Sequence, residues 1–208
     1  MRIAMTWAAV AVILASAGSA AAQGRGGLGR FGGPALVINE SVQTELKMTD
    51  EQKKKAEEFG SKFFDKMREL FQDSQGDFEK MQKEMVKANA AGMKEVGSFL
   101  KDDQTKRLKQ ISWQISGINA LATDEELQKE IKLTGESKDK VKKLADELRQ
   151  KTTELLQEGF SPDTQKKMQE LRKDYGTKAT DALNADQKKA YKETLGKSFE
   201  VKFPQPGQ

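Results

Sequence analysis

The feature that most constrains the fold of this chain is an internal repeat with a spacing of about 85 residues. Residues 42–52 align with residues 127–137, and residues 100–104 align with residues 183–187 at a slightly shorter spacing. Two Lys- and Glu-rich helices can resemble one another by chance, but here the breaks and the apolar positions recur as well. A period this long favours two duplicated modules over a solenoid of many short repeats.

Both modules have the residue pattern of α-helices. Helix-forming residues dominate, and the alternation of β-branched and aromatic residues that marks strands is absent. Apolar residues recur every three or four positions in narrow stripes, which are typical of paired antiparallel helices. We therefore expect an all-α fold of extended antiparallel helical hairpins in two tandem repeat modules. The predicted helices cover residues 40–47, 50–73, 77–97 and 102–118 in the first module, and 124–132, 135–158, 162–180 and 185–200 in the second.

The chain begins with the features of a secretory signal peptide. Arg2 precedes an apolar run that is shorter than the roughly 20 residues of a membrane span, and a run of alanines ending at Ala22 offers a cleavage site. We expect cleavage near Ala22/Gln23, export to the periplasm or beyond, and no stable membrane insertion afterwards. The predicted segments are a signal peptide over 1–22, a Gly-rich flexible linker over 23–38, helical module 1 over 39–121, helical module 2 over 122–202 and a disordered tail over 203–208.

The composition excludes several kinds of site. The chain contains no His and no Cys, which removes Cys/His zinc sites, Ser-His-Asp triads, cysteine nucleophiles and disulfides. Its acidic residues stand among lysines at helical spacing, as on solvated helix faces, so we predict no enzyme, no catalytic residue and no metal or cofactor. The net charge of +4 comes mostly from residues before the helices, and the faces that follow are mixed in sign. That mixture argues against nucleic-acid binding, which needs a patch of one sign.

Four approximate copies of a Leu-Thr-x-x-Gln pattern occur, each at a predicted helix start, and each copy departs from the pattern at one or more positions. A Thr or Asn at the N-cap can accept a backbone N–H, and a Gln three residues later can reach back to the N-cap N–H, as in a capping box. Starting a helix is therefore the first role expected of these residues. The four copies comprise Met48, Thr49 and Gln52, then Leu100 and Gln104, then Leu133 and Thr134, and finally Leu183, Asn184 and Gln187.

On these motifs, the chain resembles the Spy/CpxP-type periplasmic proteins, a family of exported helical proteins with paired Leu-Thr-x-x-Gln motifs. The resemblance implies an ATP-independent chaperone or an envelope-stress binding protein, whose partners are unfolded or envelope proteins. Members of the family form thin cradles from two antiparallel subunits with two motifs each, whereas this chain carries four motifs. The implied assembly is therefore a homodimer or a monomeric pseudo-dimer that forms the cradle alone.

Aromatic and methionine side chains are concentrated in the first module. Flexible apolar side chains of this kind adapt to varied partners, but at helical spacing they also fill the seam between two helices. The alternative to a chaperone is a non-enzymatic helical scaffold or adaptor of the cell envelope that binds one specific partner. The candidate client or partner surface consists of Phe64, Phe71, Met81, Met85, Met93 and Trp113.

Overall fold

The computed structural model describes residues 32–74, 77–157, 159 and 161–203, with the side chains of residues 78 and 79 excepted. These residues form nine α-helices and one 3-10 turn, and no strand occurs among them, so the prediction of an all-α chain is confirmed. None of the described helices is long and apolar enough to cross a membrane. After the 3-10 turn Pro34–Ile38, the helices are α1 (Glu40–Glu45), α2 (Asp50–Asp73), α3 (Phe78–Gly97), α4 (Asp102–Ser116), α5 (Ile118–Thr123), α6 (Glu125–Glu130), α7 (Gly135–Gln157), α8 (Pro162–Asp181) and α9 (Ala185–Leu195).

The first core lies among the 3-10 turn, α1, α2, α3 and α4. Helices α2 and α3 pack against each other, and the 3-10 turn packs against both of them. The apolar stripe of α2 supplies Ala56, Phe59, Phe63 and Met67, and the rings of Phe59 and Phe63 stack with their centroids 5.3 Å apart. The charged faces of the same helices remain in water, as the narrow stripe predicts.

The second core lies among α5, α6, α7, α8 and α9. Helices α7 and α8 pack against each other, and α5 packs against α7. The largest fully buried side chains here are Leu121, Leu127 and Ile131. This core also takes in Trp113 from α4, whereas Ile111 on the same helix belongs to the first core. Helix α4 therefore contributes side chains to both cores.

Residues 34–38, which their Gly-rich context predicted to be part of a flexible linker, instead belong to the first core. Leu36 and Val37 are fully buried. Two helical glycines make room for the turn: a Cβ on Gly60 would stand 2.7 Å from Cγ2 of Ile38. On Gly92, it would stand 2.7 Å from a ring carbon of the turn's proline. The linker prediction is wrong for these five residues because the slot that holds them is built by helices distant in sequence.

The turns after α1 and α6 have the same backbone geometry in both halves of the chain. Lys47 has φ 51° and Lys132 has φ 53°, which is the left-handed conformation that often ends a helix. The next residue in each turn donates its N–H back to the carbonyl of a glutamine, Gln43 in one case and Gln128 in the other, at 3.0 and 2.8 Å. The side chains of both glutamines also bind the element that comes before the short helix. Gln43 Nε2 donates to Val37 O in the 3-10 turn, and Gln128 Nε2 donates to Leu121 O in α5.

Glycines end α4 and α9 earlier than the sequence pattern predicts. Gly117 has φ 52° and Gly196 has φ 64°. Glycine adopts such positive φ angles without steric cost, and each of these two glycines is the residue at which its helix ends. The last predicted helix, over 185–200, is therefore wrong beyond Leu195. Phe203, the first residue of the predicted disordered tail, is half-buried, contrary to that prediction. The predicted signal peptide, residues 23–31 of the predicted linker and residues 204–208 of the predicted tail lie outside the described residues.

Candidate functional site

Two of the four motif copies meet in a buried amide pair inside the first half of the chain. The side chains of Gln52 and Gln104 are 9% and 6% exposed. Gln52 Nε2 donates to Gln104 Oε1 at 2.8 Å, and Gln104 Nε2 donates back to Gln52 Oε1 at 3.2 Å. The pair therefore joins the start of α2 to the start of α4.

Each amide also holds backbone groups at helix ends. Gln52 Oε1 accepts the N–H of Thr49, and the Thr49 hydroxyl accepts the N–H of Gln52, so the predicted capping box is present. Gln104 Oε1 accepts the N–H of Lys101. The lysine side chain has no acceptor atom, so it cannot accept the N–H of Gln104 as a capping threonine would. The remaining amide hydrogens go to Phe99 O at 3.0 Å and Leu46 O at 2.8 Å. One network thus fixes the ends of α1 and α3 to the starts of α2 and α4.

The other two motif copies meet in a reduced version of this network. Asn184 and Gln187 form a capping box at the start of α9, and Gln187 Nε2 donates to Lys132 O at 3.1 Å. Ser137 stands where the repeat places the partner glutamine, and its short side chain cannot form an amide pair. The second half of the chain therefore relies on one amide where the first half uses two.

The leading apolar residue of every motif copy is buried. Met48, Leu100, Leu133 and Leu183 are between 3% and 8% exposed, in the core of their own half of the chain. Thr134 is exposed and lies just before Gly135, the first residue of α7. The buried residues of the motif consequently hold helix ends together, whereas Thr49, Thr134 and Asn184 are exposed at the helix starts.

The candidate contact surface is only partly open to solvent. Phe71 is 48% exposed in the last turn of α2, and Met81, Met85 and Met93 are half-buried on α3. Phe64 is only 8% exposed, so its placement on an open surface is wrong: it adjoins Phe63 and widens the buried stripe.

Trp113 is also wrongly placed on an open surface, because it is 6% exposed and belongs to the second core. Its indole N–H donates to Asp124 Oδ2 at 2.9 Å, next to the start of α6. Trp113 also lines a groove of about 530 Å³ between α4, α6 and α9. The charged side chains that line this groove are Asp102, Lys106, Lys109, Glu126, Glu130 and Glu193.

Two exposed apolar side chains were missed by the sequence reasoning. Val86 on α3 is 41% exposed, and Leu156 in the last turn of α7 is 51% exposed. Leu156 occupies the position that the repeat aligns with Phe71, so the alignment itself could have identified it. Val86 follows Met85 and lies one turn beyond Gln82, whose Oε1 accepts a hydrogen bond from Arg149 Nη1 on α7 at 2.8 Å.

The electrostatics of the described surface are those of solvated helices. Lys87 donates to Glu84 at 2.8 Å and lowers the pKa of that carboxyl, and Asp174 raises the pKa of Lys178 in the same way. Burial raises the pKa of Tyr191 to about 12. Within the part of the chain that the structure describes, no cluster of three or more acidic side chains is arranged to hold a metal ion.

Comparisons with protein-family models, with curated proteins and with solved structures found no match to this chain.

Proposed function

We propose that this chain is an exported, ATP-independent chaperone or envelope-stress binding protein of the kind that the Spy/CpxP resemblance implies. The observation that carries the proposal is an exposed apolar residue at the same register position in both halves. Phe71 lies in the last turn of α2 and Leu156 in the last turn of α7, and each has about half of its surface in water. Large apolar side chains exposed on otherwise charged helices are available to the apolar segments of unfolded proteins.

Half-buried methionines on α3 add to the apolar side chains that a client could contact. Met81 and Met85 have flexible side chains that adjust to different apolar partners. Fully burying one apolar side chain contributes about 1.5–3 kcal/mol, so a few such contacts give weak, reversible binding that needs no ATP to release the client. The mixed charge of the surrounding helix faces keeps such a complex in solution.

The arrangement that we propose for the whole chain is a pseudo-dimer formed by duplication. Each half has two short helical segments, a pair of long packed helices and a shorter final helix, in the same order. The matching left-handed turns at Lys47 and Lys132 and the matching motif pairs support a common origin. One polypeptide would then build the cradle that the family assembles from two subunits, and removal of residues 1–22 would release it outside the cytoplasm.

The test is suppression of aggregation by purified mature protein (Gln23–Gln208) acting on an unrelated, chemically unfolded protein without ATP. We expect suppression at near-stoichiometric amounts, weakened by Phe71→Ser together with Leu156→Ser. The matched control is Glu69→Ser, which changes an exposed residue of α2 without removing apolar surface. A well-folded sample that suppresses nothing, or a double variant as active as the control, contradicts the proposal.

The groove between α4, α6 and α9 favours a second candidate function, a scaffold with one specific partner. Its charged lining carries two lysines against four carboxylates, so it suits a partner that presents basic side chains. This candidate predicts one tight complex, weakened by Glu130→Lys with Glu193→Lys, and no general effect on aggregation. The aggregation assay therefore separates the two candidates.

A further inference from the structure

The segment that follows α9 crosses from the second half of the chain to the first. We call residues 197–203 the strap. Phe199 and Val201 are half-buried against the first core, although α9 belongs to the second. The strap has no regular secondary structure, and its side chains alternate: positions 199, 201 and 203 are half-buried, and positions 198, 200 and 202 are exposed. It is an extended segment with one apolar edge.

Side chains of the first half hold the backbone of the strap. Gln114 Oε1 accepts the N–H of Phe199 at 2.9 Å, and Gln114 Nε2 donates to Lys197 O at 2.9 Å. Arg107 Nη1 also donates to Lys197 O, at 2.8 Å, while the rest of its guanidinium pairs with Glu45. These bonds fix the strap where it leaves Gly196.

A second pair of bonds holds the far end of the strap beside the start of α1. The hydroxyl oxygen of Ser41 accepts the N–H of Lys202 at 3.1 Å, and Asn39 Nδ2 donates to Lys202 O at 2.9 Å. The Arg107 guanidinium also lies 5.9 Å from the centroid of the Phe199 ring. The hydrogen bonds from Asn39, Ser41, Arg107 and Gln114 all reach the strap's backbone, so they do not depend on the identity of its side chains.

We propose that the surface beneath the strap is a binding site for an extended segment of another polypeptide with apolar side chains at alternate positions. The strap occupies this site in cis. Backbone recognition with alternating apolar contacts is how proteins bind extended peptides of varied sequence. The strap supplies the pattern of a ligand that fits: aromatic, charged, aliphatic, charged, aromatic. This site is distinct from the exposed residues of α2, α3 and α7, so it stands whether or not the chaperone proposal holds.

Binding in trans requires that the strap leave the site. The apparent affinity for an added peptide is the intrinsic affinity multiplied by the fraction of molecules whose site is empty. The strap meets the first core with two half-buried apolar side chains, and both lie after Gly196, outside α9. The variant with Phe199→Ser and Val201→Asp should therefore expose the site without removing any residue that builds it.

The experiment measures fluorescence anisotropy of labelled peptides added to the full mature chain. One peptide has the sequence of residues 197–203, a second is unrelated but keeps aromatic, aliphatic and aromatic residues at the alternate positions, and a third has Asp at those positions. We expect the first two to bind the strap variant at least about tenfold more tightly than they bind the unchanged chain. The Asp peptide should bind neither, and adding Gln114→Ala to the strap variant should weaken binding of the first two.

Circular dichroism shows whether the strap variant is folded, and Val201→Ser alone is the milder substitute if it is not. Peptides that bind the unchanged chain and the folded strap variant equally well overturn the proposal, because the binding then occurs elsewhere. Failure of both alternating peptides to bind a folded variant overturns it as well. If only the 197–203 peptide binds, the site does not accept other polypeptides with alternating apolar residues, and the proposed class of partner is wrong. Such a result would indicate only that copies of this chain can exchange straps.

Discussion

The amide pair between Gln52 and Gln104 is expected to be the strongest single polar contribution to the stability of the first half of the chain. Replacing Gln104 by Ala removes its bond to Leu46 O, its bonds with Gln52 and its acceptance of the Lys101 N–H. A buried polar group left without a partner costs about 1–3 kcal/mol. The variant leaves Leu46 O and the side-chain amide of Gln52 with fewer hydrogen-bond partners in a buried setting. We therefore expect the free energy of unfolding to fall by about 2–4 kcal/mol.

The matched control is Gln187→Ala in the second half. Gln187 holds Lys132 O and the N–H of Asn184, but it has no amide partner. Its removal should therefore cost less, about 1–2 kcal/mol. Urea unfolding followed by circular dichroism at 222 nm measures both variants, with the unchanged chain as reference.

A double-mutant cycle tests the pairing itself. Gln52→Ala and Gln104→Ala, separately and together, should show a coupling energy of about 0.5–3 kcal/mol, because the two side chains share hydrogen bonds. Additive losses, with a coupling below about 0.3 kcal/mol, would refute the reasoning and show that each amide acts only on its own helix end.

Three further outcomes are expected. Ser137→Gln should stabilise the second half by about 1 kcal/mol, measured as a higher urea midpoint, because it supplies the amide that Gln187 lacks. Gly60→Ala should destabilise the chain by about 1–3 kcal/mol, because the added Cβ meets the docked 3-10 turn. Gly176→Ala should stabilise it by about 0.5–1 kcal/mol, because nothing lies within 4 Å of the added Cβ. Thermal unfolding compares the two variants, and equal effects would contradict the docking of the turn. Between pH 10 and about 12, the free energy of unfolding should fall as pH rises. The pKa of Tyr191 is about 12 in the folded chain and about 10 in the unfolded chain, so the unfolded chain loses this proton first. Tyr191→Phe should remove that part of the pH dependence in urea titrations at pH 9 and 11.5.

The helices could be predicted from the sequence because their causes are local. Stripe spacing, helix-forming residues and the caps at Thr49 and Asn184 all lie within one or two turns of the helix that they specify. The predicted starts at residues 50, 102, 135, 162 and 185 coincide with the observed ones for the same reason. The amide pair could be predicted only as two separate caps, since nothing local brings Gln52 next to Gln104.

The parts that could not be predicted depend on contacts between distant segments. The glycines that precede residue 34 predict a flexible linker. The turn at Pro34–Ile38 is nevertheless buried, because Gly60 on α2 and Gly92 on α3 leave space for it. Trp113 lies off the apolar face of its own helix, and only the position of Asp124 shows that the indole turns inward. The strap has too little apolar sequence to predict its docking, because its contacts come from residues that precede it by about 80 positions or more.

The network that holds the fold and the surface that we propose for binding are separate in this molecule. The amide pair joins the starts of α2 and α4, whereas Phe71 lies in the last turn of α2, about 19 residues and roughly 28 Å along the helix from Gln52. A change at Phe71 or Leu156 can therefore alter client binding while the helix ends stay fixed. A change at Gln104 should lower stability and leave the exposed apolar side chains in place until the chain unfolds. Comparing the two kinds of variant in both assays distinguishes a lost contact surface from a lost fold, which activity measurements on either kind alone do not.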